Sequence, residues 1–222
     1  MDLAKYFDSR FNKAEPKKVK NLPFITISRE TGCGAVDIAK LLIKEFELRR
    51  EKWKYIDKDV LFDSAKKLKL DSSKINYVFE AKTRSHADEI LSALSNKYYK
   101  SDKVVRKTIA DVVTHFAKNG RVIIVGRAGA AITANMKKSM HIRLIAPINW
   151  RIDSLMKRSN KSDDETTRYI VDGDKKREKL MTFFCEKKSK VMCFDLTINC
   201  AKFSKKQIVD IIINAVEQRK LK

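Results

Sequence analysis

Several features that would assign a chain to a membrane or secreted class are missing from this sequence. The longest apolar runs, such as Val122–Val125 and Ile211–Ile213, are far shorter than the about 20 apolar residues that cross a bilayer. The first segment, Met1–Asn21, is charged and has no apolar stretch of the kind that secretory signals carry. These absences predict a soluble, cytoplasmic protein that does not bind membranes.

Cysteine and histidine are scarce and do not cluster. The cysteines are Cys33, Cys185, Cys193 and Cys200, and the histidines are His86, His115 and His141. No two cysteines form a Cys-x-x-Cys pair, and no histidine lies near a cysteine or another histidine in the sequence. We therefore expect reduced thiols and structural imidazoles, with neither a zinc site nor a Cys–His nucleophile.

Acidic residues are too few to balance the basic ones. The chain has 49 Lys and Arg against 28 Asp and Glu, a net charge of +21. Basic pairs are spread from Lys17-Lys18 to Lys205-Lys206, which is typical of a solvated surface. Such a field attracts small anionic ligands, nucleotides among them, and gives salt-sensitive, incidental adhesion to nucleic acid. Dedicated nucleic-acid binding is disfavoured, since no aromatic-rich strand pattern or zinc finger is present.

Apolar runs of strand length alternate with amphipathic helical patterns, which predicts an α/β fold around a parallel sheet. The predicted strands are Phe24–Ser28, Lys54–Ile56, Arg121–Gly126, His141–Ala146 and Asp195–Asn199. Flanking patterns predict helices over Ala35–Phe46 and Ser204–Gln218, with Ser204 as the N-cap of the second.

A chain of 222 residues is long enough for one domain with its own core. We expect residues 1–22 to form an N-terminal extension and residues 23–222 to form the domain. Within it, the mostly helical stretch 57–119 is expected to be a substrate-cap region. The densely charged stretch 159–192 is expected to be a mobile helical lid.

The junction after the first predicted strand looks like a phosphate-binding loop that lacks its lysine. A P-loop places backbone N–H groups and a helix N-terminus around the phosphates, while a lysine reaches the β and γ groups. Here Arg29 stands at the first glycine of the Gly-x-x-x-x-Gly-Lys-Ser/Thr pattern and Gly34 at the second. Ala35 and Val36 replace the lysine and the hydroxyl residue. The pattern alone leaves two interpretations open, a phosphate site and a tight turn.

Charged side chains follow two of the other predicted strands. Asp57 and Asp59, two residues apart, could divide metal binding and acceptor positioning, although Asp57 could equally cap a helix beginning at Lys58. Arg127 lies at the carboxyl edge of a buried strand, where ligands bind in open α/β sheets. We favour a substrate-phosphate role for Arg127 over a structural ion pair, because a guanidinium can contact phosphate through two hydrogen bonds.

Five segments in this order resemble the cytidylate-kinase-like family. They are Ile25–Gly34, Trp53–Leu61, Val122–Arg127, Leu144–Arg151 and Phe194–Asn199. The resemblance extends from Pro23 to Val216. It implies a three-layer P-loop NTPase fold with a parallel five-stranded sheet, a helical substrate-cap region, a helical lid, and ATP and Mg²⁺ as cofactors.

The resemblance also implies roles for individual residues. The cofactor-binding candidates are Gly32, Cys33, Gly34, Ala35, Val36 and Asp37. The catalytic candidates are Arg29, Asp57 and Arg177, with the arginines supplying the charge of the missing lysine. The substrate-binding candidates are Asp59, Arg127, Arg151 and Arg168, and Arg158 is a further lid candidate. Asp37 and Asp57 are the candidates for holding Mg²⁺ through water. Cys33, beside a helix N-terminus, is expected to have a lowered pKa.

The function implied is transfer of the ATP γ-phosphoryl group to a nucleoside monophosphate, with CMP as the first choice. One alternative is a kinase for a hydroxylated metabolite that is not a nucleotide, since the pattern at Asp57 and Asp59 is similar to that of shikimate kinase. Another is a pseudokinase that binds nucleotide or nucleic acid without catalysis, which Ala35 and the net charge of +21 suggest. The sequence leaves the acceptor and the oligomeric state undetermined.

Overall fold

The computed structural model describes residues 22–57, 99–159, 162–185 and 194–221. Part of the predicted substrate-cap region, residues 58–98 with Asp59 among them, lies outside these described residues. Residues 1–21 of the predicted extension also lie outside them. Parts of the predicted lid, 160–161 and 186–192, also lie outside them.

The elements in the described ranges alternate between strands and helices. They are β1 (Phe24–Arg29), α1 (Ala35–Leu48), β2 (Lys54–Ile56), α2 (Tyr99–Asn119), β3 (Val122–Val125), α3 (Gly129–Ile132), β4 (Ser139–Ile145), α4 (Ile148–Met156), α5 (Asp163–Phe184), β5 (Leu196–Asn199) and α6 (Lys205–Gln218). The prediction of an α/β fold with five strands is confirmed, and strand ends differ from the predicted ones by at most two residues.

The five strands form one parallel sheet in the order β2-β3-β1-β4-β5. The strand β1 lies in the centre, with Ile25 aligned to Ile123 of β3 and to Met140 of β4. The chain leaves β1 at the point where the connections switch from one side of the sheet to the other. In open α/β sheets this switch point creates a crevice at the carboxyl ends of the strands.

Both faces of the sheet are covered, because the central strands are apolar on both sides. On one face, Ile25 and Ile27 pack in a cluster with Leu42 of α1 and Ile212 of α6. On the other, Phe24, Val122 and Ile124 pack against α2 through residues such as Val113. This arrangement gives three layers, as predicted, with the phosphate-loop candidate emerging at the top of the middle layer.

Two helices near the crevice begin with a capping box. Ser162 accepts a hydrogen bond from the backbone N–H of Glu165, while the Glu165 side chain accepts one from the backbone N–H of Ser162. Ser204 and Gln207 do the same at the start of α6, which confirms Ser204 as the N-cap. Reciprocal caps satisfy backbone groups that helix ends leave open. They fix where α5 and α6 start.

Among the described residues, no helix combines the length and the apolar character that crossing a bilayer demands.

Candidate functional site

The loop between β1 and α1 presents a row of backbone N–H groups. Gly32 and Gly34 have φ angles of 97° and 63°, in the left-handed region that favours glycine. The first α1 hydrogen bond inside the turn runs from the N–H of Ile38 to the carbonyl of Gly34. Among the described residues, none accepts a hydrogen bond from the N–H groups of 34–37. Such a bend at a helix N-terminus is an anion-binding geometry.

A pocket of about 210 Å³ lies over this loop. Its lining residues are Arg29, Glu30, Thr31, Gly32, Gly34, Ala35, Val36, Asp37, Leu155, Arg158 and Arg177. They come from the loop, from the end of α4 and from the middle of α5. Three guanidinium groups therefore face a loop whose backbone donors are open.

Arg29 brings a partly desolvated charge to this pocket. Burial, together with the positive charges of Arg177 and Arg127, lowers the pKa of Arg29 to about 10, although Asp57 acts in the opposite direction. Its guanidinium lies directly against Gly126, where there is no room for a Cβ atom. Burial and the neighbouring arginines thus disfavour the charged form of Arg29, and an anionic ligand beside it would favour that form.

The helix α5 is held on the loop between β1 and α1 by Asp174. Its Oδ1 accepts hydrogen bonds of 2.7 Å from both the backbone N–H and the hydroxyl of Thr31. Its Oδ2 accepts one from Nη1 of Arg151. Burial acts to raise the pKa of Asp174, but the hydrogen bonds from Thr31 and the charge of Arg151 outweigh it, and the pKa lies below its ordinary value.

Arg177 lies one turn beyond Asp174 on α5. Its Nη1 donates to the hydroxyl of Thr31 and lies 3.4 Å from Oδ1 of Asp174. Gly173 permits this close approach, since a Cβ atom there would lie 2.6 Å from Oγ1 of Thr31. Arg177, a predicted catalytic residue, is therefore directed at the loop.

Arg151 is engaged by the protein itself. It is only 8% exposed, and it pairs with Asp174 and lies 3.7 Å from a carboxylate oxygen of Glu30. Glu30 also accepts a hydrogen bond from the backbone N–H of Ala146. These contacts give Arg151 a structural role that joins α4, α5 and the loop. Its predicted substrate contact stays a prediction.

Asp37, in the first turn of α1, pairs with two basic side chains through one carboxylate oxygen. Its Oδ2 lies 2.5 Å from Nζ of Lys205 and 3.1 Å from Nη1 of Arg158. The hydrogen bond from Lys205 is the main cause that lowers the pKa of Asp37. The carboxylate is therefore ionised and paired at the mouth of the pocket, and the predicted role of Asp37 in holding Mg²⁺ stays a prediction.

The expectation of a lowered pKa for Cys33 is wrong. A hydrogen bond with Cys200, followed by burial, raises the pKa of the Cys33 thiol. Cys33 is 3% exposed and faces the core, so the contact with Cys200 and desolvation together outweigh the effect of the helix N-terminus. Only its backbone is left to contact a ligand.

The remaining predicted residues divide into three groups. Asp57 and Arg127 lie close enough to Arg29 for their charges to act on it, as expected from the carboxyl ends of β2 and β3. Arg168 is exposed on α5 and is not among the residues that line the pocket. Asp59 lies outside the described residues.

Sequence reasoning missed three residues that the structure places at the loop. They are Thr31, Asp174 and Lys205. Asp174 could have been found from its position three residues before Arg177, because such residues lie on one face of a helix and can form an ion pair. The contacts of Lys205 join parts of the chain 168 residues apart, for which no local pattern exists.

Comparisons with known proteins agree with this geometry. Residues 24–202 match the family model described as the cytidylate kinase-like family. A curated relative, the uronate isomerase of Corynebacterium glutamicum, is 25% identical over 159 residues, which are 71% of this chain and 30% of that protein. The chain thus spans less than a third of the length of the curated relative it matches.

Solved structures share the fold. An uncharacterized protein of Eubacterium ventriosum is 20% identical, with a TM-score of 0.62 over 88% of this chain and 98% of that one. A shikimate kinase of Acinetobacter baumannii, solved with shikimate, is 14% identical, with a TM-score of 0.52 over 93% and 99% of the two chains. At these identities the likeness shows the fold alone.

Proposed function

The chain belongs to the cytidylate kinase-like family, and from that premise we propose that it transfers the γ-phosphoryl group of ATP to a small anionic acceptor. A nucleoside monophosphate, with CMP as the first choice, is the acceptor that the family name suggests.

One observation carries this proposal. The open N–H groups of residues 34–37 and the guanidinium groups of Arg29, Arg158 and Arg177 converge on a single pocket of about 210 Å³. Burial, followed by the charges of two neighbouring arginines, lowers the pKa of Arg29, so an anionic ligand there would stabilise its charged form. A polyphosphate uses both kinds of donor.

In the proposed reaction, an acceptor oxygen forms a bond to the γ-phosphorus while the bond from that phosphorus to the bridging oxygen breaks, which leaves ADP. The loop N–H groups stabilise the negative charge on the β-phosphate. Arg177, directed at Thr31, stabilises the charge on the moving phosphoryl group. Asp57, which follows β2, orients the acceptor; only a hydroxylated acceptor would also pass it a proton.

The residues present fit Mg²⁺ only as a companion of the nucleotide. Val36 offers no hydroxyl, and among the described residues no three His, Cys, Asp or Glu side chains are grouped to hold a metal. Mg²⁺ bound through phosphate oxygens would neutralise part of their charge, with Asp57 as the water-mediated partner.

The proposal is tested by measuring ADP release from MgATP with a panel of nucleoside monophosphates and hydroxylated metabolites, shikimate included. We expect turnover with a nucleoside monophosphate and, in Arg177→Ala, a fall in kcat of about 100-fold or more because a donor to the transition state is lost. Lys175→Ala, an exposed change on the same helix, is the matched control and should keep the wild-type kcat.

The outcomes separate the alternatives. Turnover only with a hydroxylated metabolite would favour a kinase whose acceptor is not a nucleotide, the alternative that the pattern at Asp57 and Asp59 suggests. Thermal stabilisation by MgATP without turnover of any acceptor would favour a nucleotide-binding pseudokinase. Equal kcat values for Arg177→Ala and Lys175→Ala would remove Arg177 from the mechanism.

A further inference from the structure

We infer that Lys205, at the start of α6, supplies the phosphate-binding ammonium group that the loop itself lacks. This inference rests on the proposed function and extends it to a residue outside the loop and the lid. The P-loop pattern puts a lysine at the position that Ala35 occupies, and Ala35 is buried with no charge to offer.

The position of Lys205 is the first argument. Its Cε would lie 3.7 Å from a Cβ atom built on Gly34, and Oδ2 of Asp37 would lie at the same distance. The stem of Lys205 therefore crosses directly over the glycine at the bend of the loop. Its ammonium group is held at the mouth of a pocket that Gly34, Asp37 and Arg158 line.

The topology is the second argument. Arg29 lies against Gly126, which follows β3, whereas Lys205 follows β5. In the strand order β2-β3-β1-β4-β5 these two strands are on opposite sides of β1. The loop is thus flanked by a guanidinium on one side and an ammonium on the other, and a phosphate in the bend would have a cation on each side.

The third argument concerns the helix. A cation in the first turn of a helix opposes the positive end of the helix dipole, so Lys205 does not stabilise α6 by its charge. Its ammonium group instead forms a salt bridge with Asp37. In this pair the side chains are 45% and 38% exposed, and solvent-exposed pairs are weak. An incoming phosphate, which carries more charge, can replace the carboxylate as the partner of Lys205.

Titration calorimetry of the full chain with MgATP and with inorganic tripolyphosphate tests the inference. We expect Lys205→Ala to weaken both affinities by about tenfold or more, as loss of a charge-assisted hydrogen bond does. Lys205→Arg should restore most of the affinity. Lys206→Ala, an exposed lysine in the same turn, is the matched control, and alanine at either position favours the helix, so folding should be preserved.

A second variant tests the exchange of partners. In Asp37→Asn the competing carboxylate is gone, so both Lys205 and Arg158 are released for phosphate. We expect MgATP to bind Asp37→Asn a few-fold more tightly than it binds the wild type. Weaker binding that depends on the Mg²⁺ concentration would show that Asp37 acts through the metal, and it would overturn the exchange.

The results distinguish this inference from the proposed function. If the wild type binds MgATP and turns over an acceptor while Lys205→Ala binds both ligands as well as Lys206→Ala does, only the role of Lys205 is refuted. A loss for MgATP without a loss for tripolyphosphate would also refute it, because the contact would then be to the nucleoside. If the folded wild type binds neither ligand, the proposed function and this inference fail together.

Discussion

Removal of the Asp174 carboxylate should detach the helix α5 from the loop between β1 and α1. Asp174 accepts two hydrogen bonds from Thr31 and one from Arg151, and these contacts join α5 to two other elements. The change to test is Asp174→Ala, with Asp172→Ala as the matched control, because Asp172 is an exposed carboxylate two residues away on the same helix.

The contacts of Asp174 determine how far its removal should lower the free energy of unfolding. Hydrogen bonds to a charged group contribute about 1.5–3 kcal/mol each, and a buried charge that loses its partner costs about 3–5 kcal/mol. Two facts reduce the sum. Asp174 is 28% exposed, and Glu30 remains 3.7 Å from Arg151. We therefore expect Asp174→Ala to lower the free energy of unfolding by about 3 kcal/mol, in the lower part of the range for buried pairs.

Urea unfolding followed by circular dichroism measures this difference. The dependence of the unfolding free energy on pH below neutrality gives a second measurement. Because the pKa of Asp174 is lowered in the folded state, its contribution is present above the unfolded-state pKa of about 4 and is lost as the pH falls through the folded-state value. The gap in stability between wild type and Asp174→Ala should therefore be full at pH 6 and narrow below about pH 4.

The reasoning would be refuted by a small loss at pH 6, no larger than the few tenths of a kcal/mol expected for the surface change Asp172→Ala. It would equally be refuted by a gap between wild type and Asp174→Ala that is independent of pH. Either result would mean that α5 is held on the loop by other contacts.

Two further changes test the packing of α5 on the loop and the burial of a histidine in the sheet. Gly173→Ala adds a Cβ atom 2.6 Å from Oγ1 of Thr31, so despite the better helix propensity of alanine we expect a loss of about 1 kcal/mol in urea unfolding, from overpacking; a gain in stability would contradict the close approach. His141 has a pKa below its ordinary value, chiefly through burial, and a group that is harder to protonate in the folded state lowers stability as the pH falls below about 6.5. The variant His141→Asn should show a flatter loss of unfolding free energy between pH 6.5 and pH 5, and equal slopes for the two proteins would exclude His141 as the cause.

The sheet was predictable because its strands are short, apolar and separated by helical patterns. Residues such as Ile25, Ile27 and Ile124 are buried from both faces, and such runs have few alternatives to a parallel strand. The convergence of Arg29, Asp57 and Arg127 was predictable for a related reason. Arg29 ends β1, and the other two residues come directly after β2 or shortly after β3, so all three lie where the carboxyl ends of neighbouring parallel strands meet.

The contacts that complete the site were not predictable in the same way. Thr31 and Asp174 are 143 residues apart in the sequence, and Asp37 and Lys205 are 168 apart. Their pairing depends on how α5 and α6 pack over the sheet, which local patterns do not encode. Cys33 was misjudged because its helix N-terminus is visible in the sequence, whereas its burial against Cys200 is not.

The distribution of the basic side chains over several elements links ligand binding to folding in the proposed function. Arg29 lies on β1, Arg158 just beyond α4 and Arg177 in the middle of α5, while Lys205 lies at the start of α6. Those charges are together only while these elements are docked. Because a ligand that binds only the docked state stabilises it by mass action, phosphate binding and the docking of α5 through Asp174 should strengthen each other. The proposed function therefore requires the tertiary contacts around the loop to be in place before phosphate binds.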